Sequence, residues 1–165
     1  MQERFPDLRL IAEDLGFLTD DVIRLQKDSG WPGMKVLEFA FDSREPSNYL
    51  PHRYIRNCIC YSGTHDNETL AQWLASETAR AYAAEYLGLT EQEGYAWGIL
   101  RSGLASVADT FIAQLQDYLG LGAEARMNTP GTLSDRNWSW RLQPGLLTAE
   151  LAHRLRRMNT MYERL

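Results

Sequence analysis

Short apolar segments that stop at polar clusters recur along the chain. Residues 9–12, 34–41 and 55–61 are nearly continuous in apolar side chains. The polar clusters that end them are, in order, Glu13 with Asp14, then Asp42, then His65 with Asp66 and Asn67. Apolar strands of this kind, when they alternate with helices, are typical of a parallel sheet that is covered on both faces. The pattern therefore predicts an α/β fold.

Helical segments are expected to follow at least two of these strands. Thr19 has the side chain and position of an N-cap, and Gly30 is a natural C-terminal stop for the helix that starts there. Apolar side chains at helical spacing predict one long amphipathic helix from the third polar cluster to about residue 87, closed by Gly88. A terminal helix is predicted over 148–165.

The remaining segments carry weaker signals. Thr90 and Glu93 have the spacing of a capping box, so we expect another helix to start there. Residues 107–121 fit a strand around 110–113 followed by a short helix. Residues 127–140 are polar and contain Pro and Gly, and they predict a loop.

Composition narrows the possible partners. The 165 residues are 44% hydrophobic and 24% charged, which suits one globular domain. The net charge is −5 and the sequence has no basic stripe, so we do not expect nucleic acid as a partner. No apolar run approaches the roughly 20 residues needed to cross a bilayer. The first residues lack an apolar signal region, so we expect no membrane partner and a cytoplasmic location.

The two cysteines, Cys58 and Cys60, lie two positions apart in a predicted strand. Such neighbours point to the same face, and a disulfide between them would distort the backbone. Two thiols without a nearby second pair of ligands are weak evidence for a metal site. We therefore predict buried, reduced cysteines.

Two carboxylates are the best candidates for chemistry. Glu13 and Asp66 each follow an apolar strand, and the carboxyl ends of parallel strands are where α/β proteins place their active sites. Paired carboxylates suit cleavage of a glycosidic bond, in which one protonates the leaving oxygen and another stabilises the positive centre. Either residue could instead cap the following helix or pair with an arginine. A third hypothesis is a metal-dependent lyase that uses Glu13, His65 and Asp66, although three histidines in the whole chain give it little support.

Longer motifs then point to a family. The segments concerned are IAEDLG at 11–16, PGMKVLEFAF at 32–41, GTHDN at 63–67, EARMNTPG at 124–131 and NWSWR at 137–141. They resemble, in order and over essentially the whole chain, the 4-alpha-glucanotransferases, which are the amylomaltase or disproportionating-enzyme family related to the α-amylases. The resemblance implies the second, C-terminal half of a (β/α)8 TIM barrel.

The resemblance also implies roles for individual residues. Glu13 matches the general acid/base, and Asp66 matches the carboxylate that holds sugar hydroxyls and stabilises the transition state. His65 matches a histidine that binds the same sugar, Phe39 an aromatic beside the acceptor sugar, and Asn128 a polar residue of the sugar-binding loop. Such enzymes move α-1,4-glucan segments to the 4-hydroxyl of another glucan by a retaining mechanism. They act on maltooligosaccharides and α-1,4-glucans and need no metal or organic cofactor.

One part of the family pattern has no match in this sequence. The covalent nucleophile of the family is an Asp in an Arg-x-Asp motif on an earlier strand, and a complete barrel needs eight strands and about 250 residues. We therefore expect residues 1–165 to be the C-terminal part of a catalytic barrel, inactive alone and prone to self-association through exposed strand edges. The alternative is a non-catalytic glucan-binding piece of a barrel protein.

Overall fold

The computed structural model describes residues 4, 7–16, 18–41 and 47–165. Within these ranges three short strands form one parallel sheet in the order β1-β2-β3. Their bounds are Gly33–Val36 (β1), Cys58–Tyr61 (β2) and Thr110–Ile112 (β3). Parallel neighbours cannot be joined by a tight turn, so the connections between them carry helices. The α/β fold expected from the hydrophobic pattern is confirmed.

Seven α-helices surround this sheet in the described part of the chain. Their bounds are Asp20–Ser29 (α1), Leu37–Ala40 (α2), Leu70–Trp73 (α3), Glu77–Leu87 (α4), Tyr95–Ala105 (α5), Leu115–Tyr118 (α6) and Ala149–Met161 (α7). Two 3-10 turns, Pro51–Arg53 and Ala123–Ala125, complete the regular structure. None of these helices is long and apolar enough to cross a bilayer.

The two ends of α1 follow the predicted signals only in part. The helix begins directly after Thr19 and ends at Gly30, which adopts the left-handed conformation at φ +69° that a glycine reaches without a steric penalty. The Thr19 side chain makes no capping hydrogen bond with a described residue. At α7, by contrast, the Thr148 hydroxyl accepts a hydrogen bond from the Leu151 N–H at 3.1 Å.

Two of the predicted strands need correction. Residues 9–12 are not a strand: the Ala12 N–H donates to the Pro32 carbonyl at 2.9 Å, and one such bond is short of a ladder. The strand predicted over 34–41 ends at Val36, because the chain turns into α2. An apolar run does not by itself distinguish a buried strand from a buried helical turn. Asp42, the predicted end of that strand, lies outside the described residues.

The predicted long helix is two helices. The first, α3, ends at Trp73, and α4 restarts behind Ser76, a side chain that favours a helix start. Gly88 closes α4 as predicted, at φ +63°. The Thr90 hydroxyl accepts from the Glu93 N–H at 3.3 Å, but α5 begins only at Tyr95. The strand and short helix predicted within 107–121 are confirmed as β3 and α6.

The core lies between one face of the sheet and the helices. Cys58 and Cys60 are both buried on this face and both are free thiols, as predicted. Phe41 is buried among the rings of Trp73, Tyr82 and Tyr86, with centroid separations of 5.7–6.1 Å. Such aromatic clusters stabilise a fold through both buried area and ring geometry. This aromatic cluster belongs to the same hydrophobic core as Cys58 and Cys60 of β2.

The other face of the sheet is only partly open, since Ile112 is exposed whereas Met34 and Ile59 are buried. Met34, Tyr61 and Ile112, one side chain from each strand, line a single large cavity. Tyr61 and Ile112 are direct partners in the β2–β3 register, so they necessarily share a face. The sheet therefore separates a packed helical side from a concave accessible side.

Candidate active site

The cavity on the partly open face has a volume of about 1080 Å³ and gathers residues that follow each strand. Phe39 comes after β1, His65 and Asp66 after β2, and Gln114 after β3. Glu13 lines the same cavity from the segment that precedes α1. The carboxyl ends of parallel strands meet at one edge of a sheet, which is where ligands bind in α/β proteins. The structure thus brings Glu13, Phe39, His65 and Asp66 to one cleft.

Asn128, the fifth residue singled out from the sequence, contacts this group directly. Its side-chain amide donates to Oδ1 of Asp66 at 2.6 Å. The same oxygen lies 3.4 Å from Nε2 of His65. Close to half of the Asp66 and His65 side-chain surface remains accessible, at 46% and 56%. Asp66 is therefore held at one oxygen while the carboxylate still faces the cleft.

Arg126 ties the loop of Asp66 to the loop of Asn128. Its guanidinium donates to the backbone carbonyl of Asp66 at 2.8 Å and to that of Asn128 at 2.9 Å. A third nitrogen contact, 3.7 Å long, reaches the carboxylate of Glu68. A guanidinium offers five donors in a rigid fork, so one side chain can fix several acceptors together. Arg126 thus sets the distance between two loops that carry predicted site residues.

A tryptophan stands beside His65 at the mouth of the cleft. The ring centroids of His65 and Trp138 lie 5.0 Å apart, and the Trp138 side chain is largely exposed. Trp138 also has a φ of +61°, which is unusual for a bulky residue, and its N–H donates to the Met127 carbonyl at 2.7 Å. Phe39 lies on another wall, edge-on to Tyr49 at 5.5 Å. Accessible aromatic faces of this kind can pack against sugar rings.

Glu13 and Asp14 point in different directions. Glu13 is exposed and lines the cavity. Oδ1 of Asp14 accepts a hydrogen bond from the Met34 N–H at 2.6 Å, and the missing side chain of Gly33 leaves room for it. Asp14 therefore anchors its segment to β1, and this contact leaves Glu13 as the member of the pair that faces the cleft.

The turn that carries His65 and Asp66 is stabilised by Asn67. Oδ1 of Asn67 accepts from both the backbone N–H and the hydroxyl of Thr64, at 2.9 and 2.7 Å. The Asp66 N–H in turn donates to the Thr64 hydroxyl at 3.3 Å. An asparagine that bonds its own turn in this way replaces a backbone turn contact. Presentation of His65 and Asp66 thus depends on where Asn67 is held.

Two further carboxyl groups are buried beneath this turn. Burial raises the pKa of Glu38 to about 9, and the nearby Asp117 and Glu68 carboxylates add to the effect. Burial also raises the pKa of Asp117 to about 6, although hydrogen bonds from the Leu70 N–H and the Ser62 hydroxyl act in the opposite direction. Those two bonds are short, at 2.7 and 2.6 Å. Glu38 is therefore a neutral acid at pH 7.

Sequence reasoning did not single out Glu38, Arg126 or Trp138. For Glu38 a signal was present, since it is a charged residue inside an apolar run and such residues are rarely buried without a purpose. Arg126 gave no comparable signal, because its acceptors are backbone carbonyls that only the folded chain brings together. The structure adds no support for the metal-dependent lyase hypothesis. Among the described residues, no group of three or more His, Cys, Asp or Glu side chains could hold a metal ion.

Comparison with known proteins gives a consistent result. The family model described as 4-alpha-glucanotransferase matches residues 1–148. A 4-alpha-glucanotransferase from Clostridium butyricum is 46% identical over 167 residues, covering 99% of this chain and 34% of the relative. One from Thermus thermophilus is 44% identical, covering 100% of this chain and 35% of the relative. The chain thus spans about a third of the length of these curated relatives.

Solved structures agree with the sequence matches. The amylomaltase from Streptococcus agalactiae in complex with acarbose superimposes with a TM-score of 0.92 at 38% identity, over 98% of this chain and 33% of that one. The amylomaltase from Corynebacterium glutamicum, at 21% identity and a TM-score of 0.67, shares the fold. The match of the family model over most of the chain, together with these relatives, shows that the chain belongs to the 4-alpha-glucanotransferase family.

Proposed function

We propose that this chain supplies part of the active site of an enzyme that transfers α-1,4-glucan segments to the 4-hydroxyl of an acceptor glucan or glucose. The observation that carries the proposal is the cleft in which Glu13 and Asp66 meet, with His65 beside Asp66. An open groove of about 1080 Å³ accommodates an extended oligosaccharide better than a single small molecule. Maltooligosaccharides and α-1,4-glucans are the proposed substrates.

Each residue of the cleft has a proposed role in that reaction. Glu13, exposed to the cleft, donates a proton to the leaving glycosidic oxygen and later accepts one from the incoming 4-hydroxyl. Asp66 is held by Asn128 and is still half accessible. It accepts hydrogen bonds from sugar hydroxyl groups and stabilises the positive charge of the transition state. His65 binds the same sugar, and Phe39 offers a ring to the acceptor sugar.

A retaining mechanism also requires a nucleophilic carboxylate about 5–5.5 Å from the acid. Asp14 does not suit this role, because its carboxylate is bound to the backbone of β1. Asp66 has the separate task of holding sugar hydroxyls. We therefore assign the nucleophile to the part of the relatives that this chain does not span, and we infer that residues 1–165 form the C-terminal part of a (β/α)8 barrel.

The partly open face of the sheet supports that inference. In a closed barrel the inward side chains of all strands fill a common interior, and Met34, Tyr61 and Ile112 point to one side in this way. Ile112 is exposed on this face and the outer edges of β1 and β3 have no strand partner among the described residues, so pairing between copies is favoured. We expect the isolated 165-residue chain to be inactive toward maltotriose and to form dimers or larger species in light scattering. A strictly monomeric chain, or one that disproportionates maltotriose, would contradict this proposal.

The proposed function is tested with the complete gene product and maltotriose. Transfer yields glucose together with oligosaccharides longer than the substrate, whereas hydrolysis yields only shorter sugars. Asp66→Asn should lower the rate by about 10²–10³-fold, because it removes charge stabilisation in the transition state. Asp109→Asn is the matched control, since Asp109 pairs with Arg56 at the opposite ends of the strands and should leave the rate unchanged. Glucan binding without any longer product would favour the non-catalytic alternative.

A further inference from the structure

The side chain of Glu38 lies under the turn that follows β2, and one of its oxygens is unsatisfied. The residue is 7% exposed, and its Oε1 has no hydrogen-bond partner in the part of the chain that the structure describes. A Cβ built on Gly63 would lie only 2.7 Å from this oxygen, so the carboxyl sits directly against the backbone of the turn. A buried polar atom left without a partner costs about 1–3 kcal/mol. A residue that carries such a cost needs a compensating role.

The connection from Glu38 to the cleft passes through one side chain. A Cβ built on Gly63 would lie 2.7 Å from Oε1 of Glu38 and 3.1 Å from Cβ of Asn67, so both side chains pack against the same point of the turn, and the Asn67 side chain acts to lower the pKa of the Glu38 carboxyl. The Oδ1 atom of the same asparagine accepts from the N–H and hydroxyl of Thr64, which lies just before His65 and Asp66. Asn67 is therefore held on one side by a buried group and on the other by the turn. Its position decides where the turn can sit.

We propose that Glu38 is a positioning residue for the proposed glucan transfer: through Asn67 it holds the turn that presents His65 and Asp66 to the cleft. The expected effect on catalysis rests on the proposed function, whereas the expected effect on the position of the turn does not. Burial raises the pKa of Glu38, and the carboxylates of Asp117 on α6 and Glu68 after the turn add to the effect, so Glu38 performs this role as a neutral acid. The Arg126 cation acts in the opposite direction and offsets these only in part.

Two substitutions at position 38 separate a positioning role from simple core filling. Glu38→Gln keeps the shape, the neutral state and a polar side-chain oxygen. Glu38→Leu keeps a side chain of similar size and removes the carboxyl group. In the complete gene product, we expect the Thr64 and Asp66 amides to exchange with solvent about 3–10-fold faster in Glu38→Leu, and at the original rate in Glu38→Gln. Amides of α5 serve as the internal control for global unfolding, because Ile99, Leu100 and Leu104 of this helix are buried in the core.

Activity provides the second readout. Glu38→Leu should lower kcat for maltotriose by about 10-fold or more while KM changes little, since misplaced groups lose transition-state contacts. Glu38→Gln should restore kcat to within about 3-fold. Glu38→Met also removes the carboxyl group and serves as the second disruptive variant if Glu38→Leu does not fold. Unchanged exchange at Thr64 in both disruptive variants, or equal loss in Gln and Leu, would overturn the proposal. If the original protein shows no transfer, the proposed function fails while the exchange data still decide this inference.

Discussion

Two pairs of carboxyl groups in this domain lie in opposite environments. Glu13 and Asp66 face an open cleft, where solvent can reach them. Glu38 and Asp117 lie beneath that cleft, 7% and 1% exposed. Burial disfavours the ionised form of a carboxyl group, and it raises the pKa of Glu38 to about 9 and that of Asp117 to about 6.

The two pairs also differ in how many of their carboxyl oxygens accept hydrogen bonds from the protein. Asp117 uses both of its oxygens on the Ser62 hydroxyl and the Leu70 N–H, which joins the end of β2 to the start of α3. Asp66 receives one side-chain amide and keeps part of its surface free. A carboxyl group with all acceptors occupied stabilises structure, whereas one with free acceptors can bind a ligand.

The largest effect should come from the upper pair. Glu13→Gln in the complete gene product keeps the shape of the side chain and removes the proton donor, so transfer from natural glucans should fall by about 10²–10⁴-fold. A glycosyl fluoride donor needs little protonation of its leaving group and should be partly spared. Initial rates with both donors measure the effect. Equal losses with the two donors would mean that Glu13 is not the acid.

The next effect concerns the lower pair and stability. The folded protein retains the Glu38 proton up to a pKa of about 9, while the unfolded chain releases it near 4.5. The unfolded state thus binds fewer protons in this window, and the free energy of unfolding should fall as the pH rises from about 5 to 9. Glu38→Gln should raise stability by about 2–4 kcal/mol at pH 8 and much less at pH 5.

Denaturant unfolding of the complete gene product at several pH values measures this difference. Glu85→Gln is the matched control, because Glu85 is an exposed glutamate on α4 and its substitution should leave the pH dependence unaltered. A Glu38→Gln variant with the same pH dependence as the original protein would mean that Glu38 is ionised in the folded state.

A smaller stability effect is expected at Asp117. Asp117→Asn leaves one oxygen and one N–H₂ group to meet two donors, so the contact with Ser62 or Leu70 is weakened. Because the Ser62 hydroxyl can rotate and accept, we expect a loss of about 1–2 kcal/mol at pH 7. Calorimetry at pH 7 and pH 4 measures it. The pKa of Asp117 is about 6, so the original protein itself should lose stability as the pH rises from about 4 to 6.

The smallest effect should come from the partner of Asp66. Asn128→Ala removes a single hydrogen bond to a half-exposed carboxylate, and the loop remains tied by Arg126 to the Asp66 carbonyl. Affinity for a maltooligosaccharide should fall by about 3–10-fold, the range expected for one such bond. Titration calorimetry with the complete gene product measures it. A loss as large as that of an Arg126→Ala variant would mean that Asn128 contributes as much as Arg126 to the position of the two loops.

The sequence predicted the α/β fold class and candidate residues that line the cleft. It did not predict the buried groups beneath the cleft. Local signals were sufficient at Gly30 and Gly88, where a helix must end in a left-handed residue. The strand predicted over 34–41 was wrong beyond Val36, because apolar character alone does not fix backbone geometry. The break between α3 and α4 was missed for the same reason: Leu74 is buried and continues the apolar pattern, and the backbone becomes extended only at Ser76.

The site illustrates the same limit. Predicted strand ends gave Glu13 and Asp66 as candidates; Asp66 does follow β2, but the residues before Glu13 form no strand. The contacts among Glu38, Asn67 and Thr64 depend on how the turn after β2 folds over α2, and no spacing rule encodes that. The glucanotransferase motifs supplied roles for five residues but none for the layer beneath them.

The close approach of Gly63 to the Glu38 carboxyl links the choice of residue at two positions 25 apart in sequence. A methyl group at position 63 would also come within 3.0 Å of Gln114 Nε2 and 3.1 Å of the Asn67 Cβ. An alanine there is therefore compatible with the fold only if the side chain at 38 becomes shorter or shifts. Across related sequences, we expect a larger residue at 63 to occur together with a smaller one at 38, so that the pair varies as one unit.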